Sequence, residues 1–274
     1  MAVVLKLTRL RPAGWLGRRL AFFCRALGIR LLRGRPLDVT ALGASMRLYP
    51  AHNTSEKNLL FTPYLFDPDE REVLARVIKD GFVFVDVGAN VGGYSLFVAA
   101  LAGPNARILA IEPQPDVFER LVFNIRQNPF GSVKALDCAI TDKDGVVTLF
   151  VDPANNGQSS VRFVQLAQGG AHLQVTAKTL KTVITEEGLD RIDAMKVDVE
   201  GAEELILEPF FRHVEERLWP DLLILDDPTG RAPDNLPALA EGGTYRLIRR
   251  TRSNGLYQKQ TAAGPVMARM EMNL

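Results

Sequence analysis

Cysteine is scarce in this chain: 274 residues hold two, Cys24 and Cys138, with no CxxC pair. That excludes a disulfide framework, and it suits a reducing compartment, so a cytoplasmic location is expected. Histidine is nearly as rare. His52, His172 and His213 form no spaced ligand motif such as HExxH, and no metal site is expected. A hard-cation site would need Asp198, Asp226 and Asp227 to converge, which strand-end acids seldom do. Acidic residues are absent from residues 1–36, which carry nine of the 33 Lys and Arg. The other 238 residues hold 24 basic and 32 acidic side chains, a balance of −8 that argues against a nucleic-acid partner. A clean membrane-spanning run is also lacking. Val87 to Ala106 is free of charge for 20 residues, but glycines, asparagines and Pro104 interrupt it, which fits a glycine-rich turn and a buried helix. No secretory signal is visible, because arginines break the early apolar run.

What is present is ordinary for a globular protein: 47% apolar and 24% charged residues, enough for one large domain with a modest extension. Residues 1–60 read as a basic N-terminal extension. Within it, Trp15 to Arg33 places Leu16, Leu20, Phe23, Leu27 and Leu31 on one helical stripe, with Arg18 and Arg25 opposite. Such a stripe most often packs against protein. The alternatives are peripheral contact with an anionic membrane surface or, less well supported by composition, a transit peptide.

From residue 61 onward, strands and helices alternate. Asp67-Pro68-Asp69-Glu70 carries the N-cap, first-turn proline and acid of a helix start, and the helix should end near Gly81. Phe82 to Val87 is a buried strand, followed by a helix to Ala102. Strands at Arg107 to Glu112 and Val133 to Asp137 flank a helix from Pro115 to Asn128. Val146 to Val151 and Leu173 to Thr176 look like a hairpin-bearing insertion around the polar loop at 155–160. A helix at Thr179 to Glu187, a strand at Ile192 to Asp198, a helix at Gly201 to Leu207 and a strand at Leu222 to Leu225 continue the series. Tyr245 to Arg250 and Leu256 to Lys259 flank the hairpin signal Ser253-Asn254-Gly255. The pattern predicts a doubly wound α/β sheet, mostly parallel, closed by a C-terminal antiparallel hairpin.

The chemistry concentrates in Asp86-Val87-Gly88-Ala89-Asn90-Val91-Gly92-Gly93, which leaves a strand and opens a helix. Gly88 and Gly92 allow a tight turn and close ligand approach. Asp86 repels a pyrophosphate but suits a cationic ligand end, and Asn90 stands where a dinucleotide loop has its second glycine. Glu112, 20 residues after Gly92, ends the next strand and can accept hydrogen bonds from ribose hydroxyls. Cys138 and Ala139, at the end of the third strand, should border an adenine.

Two blocks, Phe84-Val85-Asp86-Val87-Gly88-Ala89-Asn90-Val91-Gly92 and Lys196-Val197-Asp198-Val199-Glu200-Gly201-Ala202-Glu203, resemble the hallmark segments of the FkbM methyltransferase family. The Asn-Gly-Gln-Ser-Ser loop at 156–160 and Ala139-Ile140-Thr141-Asp142 resemble its intervening segments, so the likeness runs from about Phe82 to Leu207. It implies a class I (Rossmann-like) methyltransferase domain over residues 61–274. It further implies S-adenosyl-L-methionine as donor and a hydroxyl of a sugar, glycan or natural product as acceptor. Asp226-Asp227 departs from the family, where a Glu is the expected residue, and bears on acceptor recognition.

Asp198 and Glu200, at the end of the fourth parallel strand, are the candidate catalytic acids: Asp198 near the transferred methyl and the acceptor, Glu200 positioning the acceptor. Their structural alternative, with Glu203, is capping of the following helix. His172 is a weaker candidate base. Two rivals to a methyltransferase are an NAD-dependent oxidoreductase, which Asp86 and Asn90 disfavour, and a catalytically silent scaffold with the same fold.

Overall fold

In a computed structural model the described residues are 1–10, 14–51, 53–151, 159–160, 171–199, 201–226 and 244–260. The chain opens with helices α1 (Ala2–Arg9) and α2 (Gly14–Leu32), an antiparallel hairpin of β1 (Leu37–Ala41) and β2 (Ala44–Leu48), and α3 (Thr54–Phe61). Then come α4 (Pro68–Val77), β3 (Val83–Val87), α5 (Gly93–Ala102), β4 (Arg107–Ile111), α6 (Pro115–Arg126) and β5 (Val133–Leu136). A side sheet follows, built from β6 (Ala139–Ile140), β7 (Gly145–Val151), β8 (Ser159–Ser160) and β9 (Ala171–Lys178). The chain then returns through α7 (Leu180–Glu186), β10 (Ala194–Val197), α8 (Glu203–His213), β11 (Leu222–Asp226), β12 (Tyr245–Arg250) and β13 (Asn254–Lys259).

The central sheet has seven strands in the order β12-β13-β11-β10-β3-β4-β5. The five from β11 to β5 are parallel, and β13 runs antiparallel to both β11 and β12. The chain builds outward from β3 to β5 and then restarts on the other side at β10. The order therefore reverses between β3 and β10, and a crevice opens at the C-terminal ends of these two strands.

Alternation along β3 explains the two-sided core. Val83, Val85 and Val87 face a layer containing Leu109, Ile184, Phe210 and Trp219. Phe82 and Phe84 face the other layer, with Leu96 of α5, Leu60 and Phe61 of α3, and Met46 and Leu48 of β2. The hairpin β1–β2 and α3, which sequence patterning does not foresee, thus share a core with the sheet. α8 begins at Glu203, later than the pattern suggests, and runs on to His213 through Pro209.

Among the described residues, the apolar stripe of α2 does not pack on the domain. The helix buries Ala21, Cys24, Gly28 and Leu32 instead. A Cβ on residue 28 would press into the ring of Phe61, so only a small face lets α2 approach α3 this closely. Leu16, Leu20, Phe23, Leu27 and Leu31 are left exposed.

Candidate functional site

A cavity of about 360 Å³ occupies the crevice. Its wall begins where the chain leaves β3. Gly88 has φ +80, and a Cβ there would run into the backbone carbonyl oxygen of Asp198. Only glycine satisfies both constraints. Asn90 also takes the left-handed conformation, with φ +51. Its Oδ1 accepts from the Val91 N–H and from Asn53 Nδ2, both at 2.9 Å, the local bonding that makes asparagine tolerable there. Gly92, with φ +92, starts α5 one step behind the wall, and a Cβ would approach Leu121 Cδ1 at 2.9 Å.

Glu112 ties this turn to the next one. Its Oε2 accepts from the Asn90 N–H at 2.9 Å and its Oε1 from the Gln114 N–H at 3.0 Å. A carboxylate has about four lone-pair sites, so each oxygen retains capacity for a ligand hydroxyl. Burial pushes the Glu112 carboxyl up to about 7, against the pull of its two backbone donors, and the charges of Asp198 and Asp86 add to the rise. Cys138 and Ala139 line the cavity beyond it, and burial raises the Cys138 thiol to about 11.

Asp86 is 1% exposed. Its Oδ2 accepts from the Ser95 N–H at 3.1 Å and the Ser95 hydroxyl at 2.6 Å, while its buried Oδ1 has no partner among the described residues. Burial raises its pKa, and Lys196 opposes that rise. The parallel register sets Lys196 beside Asp86 on the same face. Lys196 is buried, lies 5.0 Å over the Tyr94 ring, and donates to Asp198 Oδ2 at 2.6 Å. Burial works against its charge, but Asp198, Asp86 and Asp67 outweigh burial and hold the ammonium above its ordinary pKa.

Asp67, expected to cap α4, occupies the N-cap position in a left-handed conformation but makes no capping bond. Its Oδ2 accepts from the Tyr94 hydroxyl at 3.0 Å instead, and it lines the cavity. Burial first, then repulsion from Glu70, raises its pKa.

Asp198 also lines the cavity, and it does not cap α8, whose N-cap is Ala202. Glu203 fixes the loop before that helix. Its Oε1 accepts from the N–H groups of Val199 and Gly201, both at 3.2 Å. The structure therefore brings Asp86, Gly88, Asn90, Glu112, Cys138, Ala139 and Asp198 onto one cavity. Glu200, Asp227, His52 and most of the polar loop at 155–160 lie outside the described residues, as does the side chain of His172. Among the described residues no group of three or more His, Cys, Asp or Glu is placed to hold a metal ion.

Sequence reasoning misses Asp67, Tyr94, Lys196, and the wall contributed by Thr54, Ser55 and Asn254. A lysine inside a buried strand is the one available signal, since a buried ammonium needs partners. Asn254 comes from the far end of the chain. Its buried Nδ2 donates to Glu70 Oε1 at 2.8 Å, docking the C-terminal hairpin against α4.

Residues 86–220 match the methyltransferase FkbM domain. The chain is 31% identical over 222 residues to methyltransferase sdnD of Sordaria araneosa, covering 69% of this chain and 81% of that one. It is 30% identical over 171 residues to the 31-O-demethyl-FK506 methyltransferase FkbM of Streptomyces tacrolimicus, covering 52% and 63%. It is 28% identical over 149 residues to the hexuronic acid methyltransferase AglP of Haloferax volcanii, covering 52% and 55%. Among solved structures, TYW2 of M. jannaschii in complex with AdoMet aligns with a TM-score of 0.43 and 13% identity, covering 82% of this chain and 86% of that one. With its reversed-order parallel sheet closed by an antiparallel hairpin, the fold is that of the class I methyltransferases, and the chain belongs to the FkbM methyltransferase family.

Proposed function

We propose that the cavity binds S-adenosyl-L-methionine and that the chain methylates a hydroxyl oxygen of a small-molecule or sugar acceptor. The observation that carries the donor is the charge of the wall. Among the described residues, Asp67, Asp86, Glu112, Asp198 and Asp226 line it against one basic side chain, Lys196, which is already paired with Asp198. Such a wall favours a cationic ligand and repels the pyrophosphate of NAD. The orphaned Asp86 Oδ1 offers an acceptor to a donor group on the ligand. When bound, the donor supplies an electrophilic methyl on a sulfonium.

The residues of this chain do the rest. Glu112 accepts from the ribose, Gly88 and Asn90 shape the turn that passes beneath it, Gly92 keeps α5 close behind, and Cys138 and Ala139 flank the base. Lys196, held charged, is unsuited to act as a base and positions Asp198. Asp198 accepts the acceptor's proton at its carboxylate while the wall holds that oxygen in place and excludes water. The acceptor class rests on the family resemblance and on two relatives whose names specify 31-O-demethyl-FK506 and a hexuronic acid.

S-Adenosylhomocysteine should raise the melting temperature, because it binds only the folded state, and NAD should raise it far less. Stabilisation by NAD alone would overturn the assignment. Glu112 should also imprint a pH dependence. Ribose hydroxyls donate to its ionised form, and its carboxyl sits at about 7 in the free protein. Below that pH, binding must first remove a proton, so affinity for S-adenosylhomocysteine should fall by about tenfold per pH unit. Titration calorimetry from acid to neutral pH should show this slope in the native chain and a weaker, flat profile in Glu112→Gln. A native profile without slope would move ribose recognition elsewhere.

A further inference from the structure

The exposed face of α2 has a composition that a protein surface rarely leaves to water. Leu16, Leu20, Phe23, Leu27 and Leu31 lie along one side, with Leu16 at 76% exposure and Phe23 at 68%, and Trp15 is exposed at the start of the helix. Val3, Leu7 and Leu10, in and just after the neighbouring α1, are exposed as well. A monomer gains nothing from a continuous apolar strip of this kind, which marks a contact surface.

Charge identifies the occupant. Residues 1–36 carry nine basic side chains and no acid. Two of them are committed inward: Arg9 donates to the carbonyls of Leu60 and Thr40, and Arg25 to Asn58 Oδ1. Lys6, Arg18, Arg19, Arg30, Arg33 and Arg35 are exposed. At 100° per residue, Arg19 and Arg30 both border the apolar stripe on its edge beside Phe23, the other edge turning into the buried face of Cys24 and Gly28. A second copy packed antiparallel on this face would bring the arginine-bearing edges of the two helices together, a like-charge contact that disfavours self-association. Nor does α2 cross a bilayer, since no described helix is long and apolar enough to do so. An aliphatic and aromatic strip bordered by cations of one sign, with a tryptophan at its end, is the chemistry of a helix lying in a lipid headgroup layer.

We propose that α2, with α1, docks the protein flat onto an anionic lipid surface: the Leu16–Leu31 stripe enters the acyl boundary while Arg19, Arg30 and the neighbouring cations meet lipid phosphates. Through its buried small face α2 rests on α3, whose Thr54 and Ser55 line the cavity, so docking holds the cavity close to the lipid surface.

The test is co-sedimentation of the full chain with vesicles of mixed phosphatidylglycerol and phosphatidylcholine, and with phosphatidylcholine alone. The native chain should sediment with the anionic vesicles at low salt, be released by high salt, and bind neutral vesicles at least about tenfold more weakly. Leu20→Glu/Phe23→Glu alters two exposed side chains, so it should melt as the native chain does and lose at least about tenfold in binding. Arg19→Glu/Arg30→Glu, which leaves the apolar stripe whole, should lose a similar factor. Failure of the native chain to sediment with anionic vesicles overturns the proposal, as does equal, salt-insensitive binding to both vesicle types. A concentration-dependent dimer abolished by Leu20→Glu/Phe23→Glu, without vesicle binding, would assign the face to a second copy and overturn it too.

Discussion

Lys196→Met should destabilise the fold by about 3–5 kcal/mol near neutral pH, because it strips the counter-charge from a buried cluster and leaves carboxylates facing one another. Lys196 donates to Asp198 and lies beside Asp86 in the strand register, and its charge also acts on Asp67. The loss should depend on pH in a direction that separates charge from packing. Burial already holds Asp86 above the ordinary carboxylate range, and without Lys196 its folded value rises further. A carboxyl whose folded pKa exceeds its unfolded one contributes stability that is full below the unfolded value and lost as pH rises through the folded value. Chemical denaturation should therefore show a small deficit at mildly acid pH and the full deficit at neutral pH and above. Asp86→Asn in the same background should recover part of it. A loss of equal size at every pH would mean that Lys196 serves the core through its hydrocarbon stem alone.

Asp198→Asn should lower methyl transfer by about 10²-fold or more, the usual effect of removing a positioned base. The substitution keeps size and an oxygen for Lys196 to bond, and Lys196 keeps Asp86 and Asp67 nearby, so melting and S-adenosylhomocysteine affinity should stay near the native values. Helix capping is no longer a competing explanation, since the N-cap of α8 is Ala202. Measuring turnover first requires an acceptor, found by screening hydroxylated metabolites and glycans for methyl uptake. Near-native turnover in the Asn variant would leave Asp67, with its Tyr94 hydrogen bond, as the carboxylate to examine next.

Much of the central architecture is legible in the sequence because its signals are local. Short apolar runs bounded by glycine and proline mark the parallel strands, and strand-to-helix turns place Asp86, Gly88 and Glu112 at one end of the sheet. What stays hidden depends on register and on side-chain direction. Asp67 carries a sound N-cap signature, yet its backbone turns left-handed and sends the carboxylate to Tyr94. Lys196 gains its meaning only when β10 is laid beside β3 and its Cα pairs with that of Asp86. The orientation of α2 is hidden for a related reason. Hydrophobic periodicity finds a stripe but not which stripe faces inward, and here the tighter-packing face of Ala21, Cys24 and Gly28 takes the interior. Small residues at helical spacing are the readable sign of close approach, and the larger apolar residues draw attention from them.

The contact between Gly88 and the carbonyl of Asp198 also has a bearing on how substitutions combine. The two motif blocks, 110 positions apart, meet there with no side chain between them, so any displacement of one backbone is handed directly to the other. Energetic effects of changes in the first turn and around Asp198 should then fail to sum. A double-mutant cycle joining Asn90 and Asp198, which belong to different blocks, should report a coupling of about 0.5–3 kcal/mol, whereas Asp198 paired with a distant surface position should report close to none. Variation at this junction is therefore constrained in pairs, and a tolerated change in one block depends on which residue stands in the other.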